Sequence, residues 1–474
     1  MIRLFALLLV VLLIDLSSGK KISQTTGKLI KATNSKCNLK SKRSHDCGLQ
    51  NVPVIEALAV TNSSAPSTIL NVRMLFFTFY ATLGCCLPFF PVYYRSKGVS
   101  QAMIGVMGSI TPAITFIVSP LWGALADTTG AYRTIMLSTF LGSVLCRSSI
   151  IFDSVTSSTF LMAINVALTA ILNAPVKPLM DSAIMSAIAD KADYGKSRLF
   201  GQVGFGVGSY AVGPFMSRNV NNIFAMHAVL AIPTAILMSS FKPTITDESG
   251  KGVSLFKRKP RTKEQVAKAV SAVLQRTDVI IFFSAVFLIG LASGIIENFA
   301  YVRISEVGGK PSDLGICRLA SSLAGGPMFW LSSAITKALG KDLIIMLTFL
   351  AYSLRFLMYA TLPMGSPLMA LPAEIIRGVT WATFWACSTY FVYSVSPPEA
   401  TATMLGLLNG FYGGIGQSAG ALVGGWLCKQ YGIESAFKKS AVVYGGIFGL
   451  YLIYTGIKSI RNNSKDTNQE KLKE

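Results

Sequence analysis

Apolar stretches of about twenty residues recur from residue 70 onward, each closed by a short break carrying charge, glycine or proline. About 20 apolar residues are what a helix needs to cross a bilayer. In hydrocarbon only helices and closed barrels satisfy their own backbone. The pattern therefore predicts an all-α membrane protein with twelve transmembrane helices, at approximately 72–95, 101–123, 133–152, 156–188, 198–217, 222–241, 278–301, 312–337, 342–362, 366–394, 400–428 and 438–460. The longest break is polar and basic and divides the helices six and six. The chain then reads as an N-terminal bundle over 70–241, a central loop over 242–277, a C-terminal bundle over 278–460 and a polar tail over 461–474. In the central loop Val266, Val270, Val273 and Leu274 lie at helical spacing, which predicts a short amphipathic helix on the membrane surface.

The two halves resemble each other at an offset of about 207 residues. Pro120 and Trp122 are followed by Arg133 and Ile135-Met-Leu137, as Pro327 and Phe329 are followed by Lys341 and Ile345-Met-Leu347; Gly206 and Gly213 align with Gly413 and Gly420. Several matches at one offset argue for a duplicated unit and two pseudo-symmetric six-helix bundles.

Ahead of the bundles, residues 1–19 hold a short apolar run after Arg3, the signature of a signal h-region. Residues 20–69 form a Ser/Thr-rich tail whose first part, to His45, has eight Lys/Arg and no acid. Two readings stand side by side: a bipartite leader of the kind used for complex plastids, or a signal sequence followed by a disordered basic tail. The membrane is accordingly the plastid envelope on one reading and an endomembrane or the plasma membrane on the other.

Composition agrees with a bilayer as solvent. The 474 residues are 51% hydrophobic and only 14% charged, against about 25% charged in soluble domains. The net charge of +21 would suggest nucleic acid in a soluble protein, but these bases sit in the breaks. With the first helix starting inside, the inner loops and tail carry 20 Lys/Arg and the outer loops 8, a positive-inside orientation with both ends of the helical core on one side. The eight cysteines and two histidines form no metal or redox pattern, and no P-loop or nucleophile elbow marks an enzyme. No cofactor is expected. The partners expected are the bilayer and a small-molecule substrate, with the protein a monomer.

Four segments resemble the major facilitator superfamily. Gly123-Ala-Leu-Ala-Asp127-Thr-Thr-Gly130-Ala-Tyr-Arg133 is similar to its loop signature between the second and third helices, with Thr128 where a base is usual. Pro178-Leu-Met-Asp181, followed by Asp193-Tyr-Gly-Lys-Ser-Arg198-Leu-Phe-Gly201-Gln-Val-Gly204-Phe-Gly206, resembles the branch of lactose-permease-like and nucleoside:proton-symporter-like carriers. Arg355, Pro372-Ala-Glu374-Ile-Ile-Arg377-Gly378 and Trp385-Ala-Cys make the third match, and the glycines from Gly406 to Gly425 the fourth. The resemblance covers roughly residues 72–460. It implies alternating access of two bundles about a site lined by the first, fourth, seventh and tenth helices, and proton coupling in many members. Ala324-Gly-Gly-Pro327 stands where relatives often place an acid, which leaves the energy source open.

An ionisable residue at the bilayer centre costs about 2.5–3.5 kcal/mol on insertion scales, so each must face a partner or a wet cavity. On the tenth helix Glu374, Arg377, Trp381 and Trp385 fall within an arc of about 80°, an ion site flanked by flat apolar surfaces; internal Glu374–Arg377 pairing with aromatic packing is the alternative. Arg355 and Glu374 lie at similar depth and are expected to pair, with Glu374 as the proton or ion carrier. On the seventh helix Glu297 and Tyr301 share an arc with Gly290 and Gly294, as a pocket wall or a packing seam. On the fourth, Asn165 and Asn173 share another before a bend at Pro175 and Pro178. Asp127 with Arg133, and Asp181 with Arg198, read as inner-gate charges. The expected function is secondary transport of a small polar organic solute (sugar, nucleoside or aromatic acid); the alternative is a transporter-like solute receptor or scaffold that does not cycle.

Overall fold

The computed structural model describes residues 66–187, 191–240, 270–397 and 401–471. The leader, nearly all of the central loop with its expected amphipathic helix, and residues 472–474 lie outside the described residues. Each of the twelve expected segments is helical, and no strand occurs among the described residues. Eight helical stretches are long and apolar enough to cross a membrane by composition. The fifth helix (Lys191–Arg218) and tenth helix (Leu371–Val395) fall outside that set, as does the eighth, residues 311–339. These three carry Arg198, Arg318, and Glu374 with Arg377, and the fifth and eighth are also rich in serine and glycine.

Local chemistry sets the breaks. The first helix runs over Pro66–Gly84, passes through a tight turn at Leu87–Phe89 and resumes at Phe90–Ser96. Pro88 and Pro91 remove backbone donors there. The fourth helix is interrupted between Thr159–Asn173 and Val176–Ala187, beside Pro175. The eighth and ninth form one continuous stretch, Pro311–Ala360, that turns at Gly340 (φ 71°). The twelfth is set off within Ser418–Lys471 by Gly432 (φ 76°); both glycines hold a left-handed φ that side chains resist. Between the second helix (Gln101–Thr129) and the third (Tyr132–Ser148), Gly130 supplies a left-handed cap.

The duplication is visible in how the helices pack. Gly204 and Gly208 of the fifth helix press onto backbone of the first, at Phe77 and Ala81. On the eleventh helix glycines press onto the seventh (Thr277–Glu306) in a similar way: a Cβ on Gly416 or Gly420 would come within 3.0 Å of Gly290 or Gly294 respectively. Small residues let membrane helices approach this closely. The eleventh helix is wound as a π-helix over Gly410–Gln417, a form that tends to occur at functional sites.

Two seams join the halves. The second helix meets the eleventh where Gly105 faces Ala421 and Gly425, and Ser418 Oγ donates to the carbonyl of Ser109 at 3.1 Å. The fifth meets the eighth where Gly213 faces Pro311 and Ser312. Arg95 and Glu306 add an ion pair between halves at 2.8 Å. These contacts lie at the ends opposite the basic loops. Toward the basic loops, a Cβ on Gly123 of the second helix or Gly406 of the eleventh would meet nothing within 4 Å. The same two helices stay in contact as far as Phe116, whose ring lies against Gly410 and Gly414, and the fifth and eighth as far as Leu199 and Gly326.

Candidate functional site

Between the halves lies a cavity of about 550 Å³. The first, fourth, seventh and tenth helices line it, as the family resemblance implies, and the second, fifth, eighth and eleventh line it too. The third helix contributes a single arginine, Arg147, from its outer end.

At the C-terminal wall, Glu297 sits between two arginines. Arg377 Nε donates to Glu297 Oε1 at 2.7 Å, and Arg318 Nη1 to Oε2 at 3.4 Å. Arg377 also donates to Ser321 Oγ at 3.1 Å, and the Arg318 guanidinium lies 4.7 Å from the Phe205 ring centre across the seam. The seventh, eighth and tenth helices are thereby tied at one carboxylate. Arg377 is thus paired with Glu297 of the seventh helix, not with Glu374 as in the alternative reading of the tenth helix. Below it Trp381 and Trp385 lie nearly parallel, 6.4 Å between ring centres and 10° between planes, and Tyr412 meets Trp385 edge-on. Ser293 is shared by Tyr412 and Gln417 at 3.2 and 3.1 Å.

At the N-terminal wall, Asn165 Nδ2 donates to the carbonyl of Cys146 and to Ser149 Oγ, both at 2.8 Å. These bonds pin the outer end of the third helix against the fourth and hold Arg147 at the cavity. Asn173, Lys177, Arg198 and Gln202 line the wall nearer the basic loops.

The structure divides the residues singled out from sequence. Asn165, Asn173, Glu297, Arg377, Trp381 and Trp385 all line the cavity. Tyr301 does not: it is buried, its ring 6.4 Å from Phe89. Gly290 and Gly294 form a packing seam with the eleventh helix rather than a pocket wall. Glu374 is also buried away from the cavity, where Tyr359 donates to its Oε1 at 2.7 Å. Arg355 lies over the same Tyr359, 5.9 Å from its ring centre. No direct ion pair joins Arg355 to Glu374 among the described residues; the two meet through the tyrosine. Arg198, read as a gate charge, lines the cavity. Arg133 is exposed at the start of the third helix, and Asp181 buries one oxygen that finds no partner among the described residues. The side chain of Asp127 lies outside the described residues.

Sequence reasoning missed Arg147 and Lys177, which line the cavity together with Arg318 and Gln202. Arg147 stands near the end of a span, where a base reads as one reaching for the membrane surface. Only its burial, at 6% exposure, separates it from that reading. Among the described residues no cluster of His, Cys, Asp and Glu could hold a metal ion.

Comparison with known proteins agrees with this architecture. The chain is 24% identical over 370 residues to the maltose permease of Geobacillus stearothermophilus, covering 77% of this chain and 89% of that one. It is 23% identical over 387 residues to the uncharacterised transporter YwbF of Bacillus subtilis, covering 81% and 88%. Its fold is similar to the crystal structure of the nucleoside transporter NupG, with a TM-score of 0.65 at 16% identity over 81% of this chain and 98% of that one. The model of the MFS_1 like family matches residues 69–439. A twelve-segment helical fold, a cavity between duplicated halves and that match over most of the chain show that this multi-pass membrane protein belongs to the MFS_1 like family of major facilitator transporters.

Proposed function

We propose that the protein is a secondary carrier that moves a small polar organic solute by alternating access, with the cavity between the halves as its binding site. The observation that carries this reading is a cavity lined by polar side chains of both halves, Asn165 and Arg147 from one and Glu297 and Arg377 from the other. A solute bound among Asn165, Glu297, Arg377, Trp381 and Trp385 touches both halves at once, so it can favour one arrangement of the seams over the other. Parallel indoles and convergent polar groups suit a solute with a ring, as in the sugar, nucleoside and aromatic acid classes. Counterflow of labelled solute in proteoliposomes tests the cycle: a carrier exchanges label, whereas a receptor that does not cycle binds without exchange.

Coupling to protons is proposed at Glu374, with Arg355 beside it. Among the described residues the Oε2 atom of Glu374 and the Nε and Nη2 atoms of Arg355 have no hydrogen-bond partner, so this buried site holds a carboxyl group and a base linked through Tyr359. A proton arriving at Oε2 would neutralise the carboxylate and change what Tyr359 and Arg355 hold. Glu374→Gln is expected to abolish uptake driven by a pH gradient while sparing counterflow. Retention of full gradient-driven uptake would remove Glu374 from the coupling path.

A further inference from the structure

Among the described residues, Arg147, Lys177, Arg198, Arg318 and Arg377 line the cavity, with Glu297 as the one carboxylate. Glu297 is committed to Arg318 and Arg377 on the C-terminal wall. Arg147 stands apart from that set. It is nine-tenths buried, and no carboxylate lies within 4.0 Å of it among the described residues. Its Nη1 donates to His227 Nε2 at 3.0 Å, and its guanidinium lies 5.9 Å from the Phe90 ring centre. On the far side of that ring, Nδ1 lies 2.8 Å from the carbonyl oxygen of Thr82. A carbonyl only accepts, so Nδ1 carries the proton; a guanidinium only donates, so Nε2 is the acceptor. His227 is therefore neutral and supplies no counter-charge. It orients the guanidinium and leaves the positive charge intact. Among the described residues the Nε of Arg147 has no hydrogen-bond partner, and neither does the buried Oγ1 of Thr169, which lines the same wall.

A buried, uncompensated cation is among the costliest groups a membrane protein can hold. One that is positioned from behind and lines a cavity of net positive charge has a site in front of it for an anion. Low-dielectric walls focus the field of such a cavity on its contents, and a guanidinium matches the fork of an oxyanion. We infer that the transported solute is an organic anion whose carboxylate or phosphate group is taken by Arg147 at the N-terminal wall, while its ring lies toward the indoles of Trp381 and Trp385. This rests on the carrier reading and narrows its substrate class to acids.

The test uses the purified full chain in a non-ionic detergent and matched probes: benzoate and phenyl phosphate as anions, benzamide and benzyl alcohol as their neutral counterparts. Ligand binding raises the melting temperature by mass action. At millimolar concentration at least one anion is expected to raise it by several degrees, with the neutral partners weaker by tenfold or more in Kd. In Arg147→Gln the anion loses at least tenfold and its preference over the neutral probe disappears; Arg147→Lys recovers part of it. Equal binding of charged and neutral probes, no response to either anion, or undiminished anion preference in Arg147→Gln would each overturn the inference. The comparison within the unmodified protein stands even if a variant fails to fold. Exchange of the same probes in proteoliposomes separates the two readings. Anion binding without exchange defeats the carrier and keeps the anion site. Exchange of the neutral probe in preference to the anion keeps the carrier and defeats the site.

Discussion

Closing the outer ends depends on a place where no side chain fits. A Cβ built on Gly105 would lie 2.8 Å from Gly425 Cα, and closer still to the carbonyl of Ala421. Carbons in ordinary contact stand about 3.5–4.0 Å apart, so even alanine requires the second and eleventh helices to part by about 0.7 Å or more. Leucine adds three further carbons on the same line. Overpacking of this kind costs about 1–3 kcal/mol, and it falls only on the arrangement in which this seam is closed. At 1.4 kcal/mol per tenfold, Gly105→Leu is expected to shift the balance roughly 5- to 150-fold toward the arrangement open on the side opposite the basic loops. The assay is labelling of a cysteine at Thr111, on the cavity wall, by a membrane-impermeant maleimide added from that side, in a Cys146→Ser background. Labelling should quicken by at least about fivefold while solute exchange falls. Unchanged labelling together with unchanged exchange would refute the assignment of this seam as a moving contact.

The Arg95–Glu306 pair, with side chains 40% and 23% exposed, is a surface pair worth no more than about 1 kcal/mol. Glu306→Gln should therefore move the same labelling rate less than about fivefold. Glu297→Gln strands two arginines. Its cost is on the order of 2 kcal/mol, below the roughly 3–5 of a fully buried pair because that carboxylate is 32% exposed; thermal unfolding should show part of the loss restored in Glu297→Gln with Arg377→Gln. Trp381→Ala and Trp385→Ala should each weaken a ring-bearing solute by about 1 kcal/mol, from lost aromatic contact, with melting of the unliganded protein changed less than in Glu297→Gln. Binding titrations check that ordering.

Much of this was legible before any coordinates. Hydrophobic runs gave the helices, and the 207-residue offset argued for two duplicated six-helix bundles. Helical periodicity correctly grouped Asn165 with Asn173 and Arg377 with Trp381 and Trp385. Its limits show at Glu374 and Tyr301. A helical wheel assigns an azimuth, but not the neighbour that fills it. Glu374 shares the stripe of the tenth helix, yet Tyr359 of the ninth takes up its carboxyl group. On the seventh helix the stripe divides along its length. Gly290 and Gly294 are occupied by the eleventh helix, Glu297 meets the cavity, and Tyr301 is covered again. Arg147 was illegible for another reason: what marks it is the neutral histidine behind it, 80 residues away in the chain.

The three helices that are not apolar enough to qualify as spans on their own bear on how the protein is made. A segment enters the bilayer from the insertion machinery alone only if its own transfer is favourable. The fifth, eighth and tenth helices carry Arg198, Arg318, Glu374 and Arg377, so none of them meets that condition well. Each is followed closely by a more apolar segment: the sixth after Arg218, the ninth after Gly340, and the eleventh after Val395. During synthesis these three are expected to enter the membrane more readily as hairpins with the helix that follows than alone. A chain halted after residue 339 should therefore insert its eighth helix less completely than one that runs on through Ala360, which glycosylation mapping of truncated chains would read.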